Sequence, residues 1–183
     1  MEKKLPNRRS IRLKEYDYSQ EGLYFITICT EKHVDLFGKI INDKMIMNSA
    51  GNIVKKVWDQ IPQYYENIDI FDFVIMPDHI HGIIEIVGAG SHTCPENEKG
   101  QQWDVAPTEK KLTLADIVHN FKIKTTNEYI KGVKSGIYEP FNKRIWQRNY
   151  YERVVRNEHE LTKIREYMMN NALKHELRQE KSI

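Results

Sequence analysis

Residues 71–87 read FDFVIMPDHIHGIIEIV, two strand-forming runs separated by a Pro-Asp break. Runs joined by so short a break pair as antiparallel neighbours, because parallel strands need a long crossover connection. The second run opens on His79-Ile80-His81, and residues two apart on a strand share one face, about 7 Å apart. The two imidazoles can therefore converge on one cation, while Ile80 points into whatever packs on the other face.

The segments before this stretch predict a strand, a hairpin and a helix. Leu23 to Thr30 is β-branched and aromatic, which is typical of a strand, and Phe37 to Met47 predicts a hairpin around Asn42-Asp43. Asn48 or Ser49 then caps a helix whose apolar residues recur at helical spacing and which ends before Pro62.

The segments after it predict two more helices. Thr113 and Asp116 form a capping-box pattern for the first helix, which we expect to stop at Gly132. A basic and aromatic connector follows over residues 133–150. Asn157 with Glu160 caps the last helix, whose apolar stripe consists of Leu161, Ile164, Met168 and Ala172.

The order strand, helix, strand pair, helix, connector, helix predicts an α+β fold. We expect a ferredoxin-like (RRM-like) antiparallel sheet with helices packed on one face and a C-terminal catalytic helix. Residues 1–20 form a basic N-terminal arm, residues 21–175 one domain, and residues 176–183 a charged tail. Residues 88–107 carry turn-forming residues without periodicity, which predicts a flexible loop.

Composition narrows the class of protein. The 183 residues are 40% hydrophobic and 30% charged, which suits a single soluble domain with an ordinary core and excludes a disordered chain. Charged residues follow the N-terminus in place of the apolar stretch of a signal peptide, and no apolar run is long enough to span a bilayer. The two cysteines, Cys29 and Cys94, have no redox or metal-binding spacing. We therefore expect a cytoplasmic protein without a membrane partner.

Basic residues are concentrated in two parts of the chain, residues 1–14 and residues 110–148. Segregated positive charge can form a surface for a polyphosphate, although it can also be two solvated faces. The candidate DNA contacts are Arg8, Arg9, Arg12, Lys14, Lys122, Lys124, Arg144 and Arg148.

Two histidines rarely complete a metal site, and the last helix offers the missing groups. Tyr167 and Asn171 are four residues apart, so they share one helix face at the edge of the apolar stripe. The neutral, oxygen-donating side chain of Asn171 suits Mg²⁺ or Mn²⁺. The combination indicates phosphodiester chemistry in which the Tyr167 phenol attacks phosphorus and a cation polarises a phosphoryl oxygen.

These segments resemble a known family. Residues 76–84, MPDHIHGII, are similar to the histidine–bulky residue–histidine (HUH) motif of single-tyrosine transposases. Residues 8–18 with 24–30, and residues 145–156 with 164–171, resemble the N- and C-terminal signatures of the subgroup called REP-associated tyrosine transposases, within the IS200-like family.

The resemblance implies that Tyr167 is the nucleophile and that His79, His81 and Asn171 hold the divalent metal. It implies a metal-dependent strand transferase that cleaves and rejoins single-stranded DNA, often hairpins from palindromic repeats, as a monomer or homodimer. The product would be a 5′-phosphotyrosine and a free 3′-hydroxyl. One departure is Ala172, where many relatives carry proline, so the helix is expected to run on toward Leu177.

Other hypotheses stay open. The histidine pair can be structural, and Tyr150 and Tyr151 are rival nucleophiles. The same fold can serve as a catalytically idle or domesticated module that binds hairpins. A histidine-triad hydrolase needs a third histidine where this chain has Ile83, and relaxases or replication nucleases commonly have longer chains.

Overall fold

The computed structural model describes residues 16–87 and 112–171. The strands are β1 (Gly22–Cys29), β2 (Gly38–Ile41), β3 (Lys44–Met47), β4 (Ile68–Ile75), β5 (His79–Ile86) and β6 (Tyr151–Val155). The α-helices are α1 (Ser49–Asp59), α2 (Ile61–Tyr64), α3 (Leu114–Lys134) and α4 (Glu158–Met169), and a 3₁₀ turn covers Glu31–His33. Most of the predicted basic arm, the whole predicted loop 88–107 and the predicted tail lie outside the described residues.

Strands β1, β4, β5 and β6 form one antiparallel sheet, in the order β4-β5-β1-β6. The predicted antiparallel pairing of β4 with β5 is confirmed, as is the hairpin β2–β3, whose turn residues Asn42 and Asp43 have positive φ. Left-handed backbone of this kind matches the right-handed twist of the strands that it joins. The predicted α+β fold class is confirmed.

One face of the sheet carries the main core. Alternate residues of β5, among them Ile80 and Ile84, are fully buried against α1 and α3. Burying an isoleucine side chain stabilises a fold by about 1.5–3 kcal/mol, so this face contributes a large share of the stability. Trp58 on α1 stacks on Phe73 at 4.4 Å between ring centroids and lies directly over Gly82.

The other face is only partly covered. Helix α4 lays Leu161, Ile164 and Met168 over Ile83 and Val155, which form a second buried cluster. His81, on the same face, is 2% exposed and lies against Tyr167 of α4. The last turns of α4 therefore reach the histidine end of this face.

The helices begin where their polar residues predict. The side chains of Asn48, Thr113 and Asn157 each accept a hydrogen bond from a backbone N–H in the first turn, and Thr113 and Asp116 form the full capping box. Such caps each contribute about 1 kcal/mol, because they satisfy N–H groups that have no partner within the helix.

One predicted helix end is wrong. Gly132 does not stop α3, which continues to Lys134. The glycine instead permits a close approach of Tyr138, because a Cβ at position 132 would lie 2.1 Å from a ring atom of that residue. Helix α1 ends at Asp59, before Pro62 as predicted, and Pro62 lies in the first turn of the short helix α2, where its missing N–H costs nothing.

Strand β6 was not predicted. Its sequence, YERVV, is short and follows an irregular segment, so its alternation is weak. It pairs with β1 from Leu23↔Val155 to Thr27↔Tyr151 and supplies the fourth strand that a ferredoxin-like sheet needs. An edge strand of this length is stabilised mainly by its neighbour and not by local sequence.

The end of the predicted arm packs on the domain. Tyr16 and Tyr18 contact each other and Tyr24 in edge-on or tilted aromatic pairs, and the Tyr18 carbonyl accepts from the Leu114 N–H. Across residues 16–87 and 112–171, no helix combines the length and apolar character needed to cross a bilayer.

Gly82→Ala tests the packing of α1 on the sheet. The new Cβ would lie 2.2 Å from a ring atom of Trp58, so we expect a loss of about 1–3 kcal/mol in the free energy of unfolding, measured in urea. In the double variant with Trp58→Phe the crowded ring atoms are gone, so its loss should be smaller than the sum of the two single losses. Additive losses would contradict this packing.

Candidate active site

His79 and His81 lie on the partly covered face of the sheet, as their spacing predicts. Their ring centroids are 4.8 Å apart, and opposite them on β1 are Cys29 and Thr27. Residues directly opposite in an antiparallel pair point to the same side, so β1 contributes side chains to the histidine face. The two imidazoles thus lie on one surface, to which β1 adds the side chains of Cys29 and Thr27.

His81 is held from both sides of its ring. Its Nδ1 lies 2.7 Å from the Thr27 hydroxyl, and its Nε2 lies 2.6 Å from the Asn171 amide. Only 2% of His81 is exposed, and the Phe25 ring stacks on it. Burial, helped by the neighbouring His79, lowers the pKa of His81 to about 3. The imidazole is therefore neutral at physiological pH, as a metal ligand must be.

His79 is oriented through the carboxylate next to it in the chain. Asp78 accepts hydrogen bonds from Nδ1 of His79 at 2.5 Å and from Nδ1 of His33 at 2.7 Å. Burial would raise the pKa of Asp78, but hydrogen bonds and charge from the two histidines outweigh it and lower the pKa to about 2. An ionised carboxylate on Nδ1 directs the Nε2 lone pair of His79 away from it.

Tyr167 lies beside this pair in the same chain. Its ring centroid is 5.2 Å from that of His81 and 6.3 Å from that of Phe25, and the side chain is 40% exposed. The buried stripe of α4 fixes this helix on the sheet, and Arg165 Nε donates to Asp72 Oδ2 on β4 at 2.8 Å. The arrangement places a partly exposed tyrosine next to a buried imidazole.

Asn171 lies beyond the end of α4, whereas the sequence predicted it on a face of the last helix. Helix α4 ends at Met169, and Asn170 closes its last turn by donating to Glu166 O from both backbone and side chain. Asn171 therefore lies two residues past the end of α4, at a position where the backbone is again helical. Its side chain is nevertheless buried, with 6% exposed, and contacts His81. Ala172 and the predicted extension toward Leu177 lie outside the described residues.

The two rival tyrosines point to opposite faces. Tyr150 is buried in the main core, with its ring 5.5 Å from the Lys122 ammonium, and is therefore remote from the histidine face. Tyr151 is 53% exposed and lies opposite Thr27 in the β1–β6 ladder, so it shares the face with His81. The geometry keeps Tyr151 as a rival and disfavours Tyr150.

The donor set fits a divalent cation only if an amide takes part. Within the part of the chain that the structure describes, no group of three or more His, Cys, Asp and Glu side chains could hold a metal ion. His79, His81 and Asn171 would together supply two neutral imidazoles and one amide oxygen. Asn171 presents Nδ2 to His81, so its amide must turn by half a rotation to offer Oδ1. Such a neutral set leaves positions and charge for phosphate oxygens.

The basic residues predicted to contact DNA have diverse surroundings. Lys122 donates to the carbonyl oxygens of residues 147, 148 and 149, which ties α3 to the segment before β6. The Lys124 ammonium lies 2.8 Å from the centroid of the Tyr64 ring, and its burial lowers its pKa. Arg144 and Arg148 are exposed, with Arg144 3.6 Å from Glu31. Arg8, Arg9, Arg12 and Lys14 lie outside the described residues.

Sequence reasoning missed four polar residues around the histidines: Thr27, His33, Asp78 and Gln147. The adjacency of Asp78 to His79 was a readable signal, because metal-binding histidines commonly donate their second N–H to a carboxylate. No local pattern marks the other three, which come from a strand, a turn and a connector distant in sequence.

Comparisons with known proteins agree with this architecture. No protein-family model matches the chain. A Haemophilus influenzae protein described as uncharacterized is 43% identical over 169 residues, covering 91% of this chain and 89% of that protein. A second protein of this organism, named "Putative REP-associated tyrosine transposase", is 24% identical over 161 residues, covering 87% of this chain and 74% of that protein.

Two solved structures are similar. A REP-associated tyrosine transposase bound to a REP hairpin superposes with a TM-score of 0.55 at 16% identity, covering 90% of this chain and 73% of that chain. A structure described as a putative transposase from Deinococcus radiodurans has a TM-score of 0.48 at 13% identity, covering 87% of this chain and 95% of that chain. The likeness in fold rests on the first of these.

Acid should destabilise the metal-free protein through His81. The pKa of His81 is about 3 in the folded protein and near 6.5 in the unfolded chain. Between these two pH values the unfolded chain binds a proton that the folded protein does not bind. Stability should therefore fall by about 1.4 kcal/mol per pH unit between pH 6.5 and about 4. His81→Gln should remove this contribution to the slope of unfolding free energy against pH, measured in a chelator. Equal slopes in the wild-type protein and in His81→Gln would refute the assignment.

Proposed function

We propose that this chain, which belongs to one family with the 43%-identical Haemophilus influenzae protein, is a metal-dependent transposase. It cuts and rejoins single-stranded, hairpin-containing DNA through a covalent 5′-phosphotyrosine at Tyr167. The observation that carries the proposal is the meeting of Tyr167, Asn171 and His81 in one chain, across 86 to 90 residues of sequence. The distant relative named as a transposase and the fold shared with the hairpin-bound one support it.

The proposed cleavage is a transesterification. The Tyr167 oxygen attacks phosphorus and forms a new O–P bond, and the bond from phosphorus to the 3′ oxygen breaks. The phenol proton is lost and the leaving 3′ oxygen gains one, so the step is balanced without water. In the reverse direction a 3′-hydroxyl attacks the phosphorus of the phosphotyrosine and releases the phenol. This attack forms a new phosphodiester and thereby joins the strands.

The other residues of the site orient these groups. His79, His81 and Asn171 would hold a divalent cation, Mg²⁺ or Mn²⁺, which when bound would polarise a phosphoryl oxygen and offset charge in the transition state. Thr27 and Asp78 fix the two imidazole rings. Tyr167 is 40% exposed, which suits a residue that must meet a DNA strand from solvent.

Phosphate contacts and base stacking would hold the substrate. Arg144 and Arg148 are the described candidates exposed for phosphate contacts, and Tyr151 is an exposed aromatic ring on the histidine face. Lys122 and Lys124 stay predictions as DNA contacts, beside the intramolecular contacts that they make. The arm residues Arg8, Arg9, Arg12 and Lys14 stay predictions as well.

Covalent capture tests the nucleophile. A single-stranded hairpin with single-stranded flanks, labelled at its 3′ end and incubated with Mn²⁺, should give a labelled protein band that resists denaturant. A 5′-labelled strand should instead give shortened DNA with a free 3′-hydroxyl. Tyr167→Phe should abolish the labelled band, because the attacking oxygen is removed, whereas it should still bind the hairpin.

The matched controls are Tyr151→Phe and Tyr150→Phe, which should retain the adduct. An adduct that survives in Tyr167→Phe and disappears in Tyr151→Phe would move the nucleophile to β6. Tight hairpin binding by the wild-type protein, with no adduct under any divalent cation, would favour the idle binding module.

Removal of metal tests the cation. A chelator should abolish the adduct, and Mn²⁺ should restore it at a lower concentration than Mg²⁺, because imidazole nitrogen is a better ligand for the softer ion. His79→Ala should weaken calorimetric Mn²⁺ binding about tenfold or more and suppress the adduct, while hairpin affinity changes little. Full adduct formation in a chelator would refute metal dependence.

A further inference from the structure

His33 lies at the edge of the active site although it precedes His79 by 46 residues. Its Nδ1 lies 2.7 Å from Asp78 Oδ2, while the other carboxylate oxygen of Asp78 lies 2.5 Å from Nδ1 of His79. On its far side, Nε2 of His33 lies 3.2 Å from Nε2 of Gln147. One carboxylate thus joins a peripheral histidine to a candidate metal ligand.

One assignment of hydrogens satisfies every contact in this row. An ionised Asp78 is an acceptor only, so each histidine must donate to it from Nδ1. Nε2 of His33 then accepts from the Gln147 amide. When the His79 ring donates from Nδ1, it is its Nε2 that can offer a lone pair to a cation. The row is therefore consistent with the chemistry that the proposed function requires.

The backbone around His33 is held in an unusual conformation. Lys32 and His33 both have positive φ, 59° and 54°, in the left-handed region that non-glycine residues rarely adopt. Such strain persists where surrounding contacts impose it, and it clusters at functional sites.

Backbone contacts clamp this turn to the site. The N–H and the hydroxyl of Thr30 both donate to the Asp78 carbonyl, at 2.8 and 2.9 Å, and the Gln147 N–H donates to Cys29 O. The turn, the residue before β5 and the connector before β6 are thereby fixed relative to one another.

We propose that His33 is a positioning residue, which locks the Asp78 carboxylate in the orientation that holds the His79 ring for metal binding. The inference rests on the proposed function. A carboxylate that accepts from a single imidazole can rotate about its side-chain bonds, whereas a second donor on its other oxygen fixes both torsions. His33 has a side chain that is 57% exposed, so its removal takes away a hydrogen bond and little packing.

The test compares His33→Ala, His33→Asn and Asp78→Asn with the wild-type protein at one pH. Loss of outer-shell partners of metal-binding histidines lowers metal affinity 10–100-fold, and His33 acts one hydrogen bond further out. We therefore expect His33→Ala to raise the half-saturating Mn²⁺ concentration for adduct formation about 3–10-fold, with the adduct level recovered at saturating Mn²⁺. Asp78→Asn should have the larger effect.

Rescue separates positioning from bulk stability. The amide nitrogen of His33→Asn can reach the place of Nδ1, so this variant should return the Mn²⁺ requirement close to that of the wild type. His119→Ala, at an exposed histidine of α3, is the control and should change nothing. Calorimetric Mn²⁺ binding should follow the same order as the adduct titrations.

The outcomes distinguish the two proposals. A wild-type adduct with an unchanged Mn²⁺ requirement in His33→Ala overturns the role of His33 and leaves the transposase proposal standing. A lower melting temperature or a lower adduct ceiling in His33→Ala, at unchanged Mn²⁺ affinity, likewise overturns it. If the wild-type protein forms no adduct, the transposase proposal fails, and Mn²⁺ calorimetry still decides whether His33 supports a metal site.

Discussion

The structure depends on the alternation of side chains along β5, the strand that lies between β4 and β1. Every second residue, including Ile80 and Ile84, is buried in the main core, while His79 and His81 face the other way. A slip of one residue in register would bury the imidazoles in the core and expose the isoleucines. Burial of the isoleucines in the core therefore also sets the face to which the histidines point. No other interaction is needed to orient them toward the candidate site.

Helix α4 converts this polar face into a site. It covers the part of the face where Ile83 and Val155 lie, and its last turns reach His81. The burial of its apolar stripe positions the exposed Tyr167 and carries the chain to Asn171, which closes on His81. The same packing thus stabilises the helix and determines which groups meet the imidazoles. The ion pair between α4 and β4 is exposed, so its contribution is small beside that of the stripe.

The two histidines have different polar surroundings. His81 is deeply buried, where desolvation keeps it neutral, whereas His79 is oriented through an ionised carboxylate. The two imidazoles are held by different means, His81 through burial and the Thr27 hydroxyl, and His79 through Asp78 and His33. A site of this kind tolerates partial solvent access, because hydrogen bonds and not enclosure alone hold the ligands.

Local sequence determined the strand pair, the helix caps and the shared face of His79 and His81, because strand periodicity and capping act over a few residues. It also singled out Tyr167 as a candidate, from its spacing to Asn171 and from a resemblance that spans most of the chain. The tertiary structure alone decided that Asn171 meets His81 from beyond the end of a helix and that Tyr150 and Tyr151 face opposite ways. It alone added strand β6 and brought His33 to Asp78. These outcomes depend on contacts between segments tens of residues apart, which packing of the whole chain sets and no short pattern encodes.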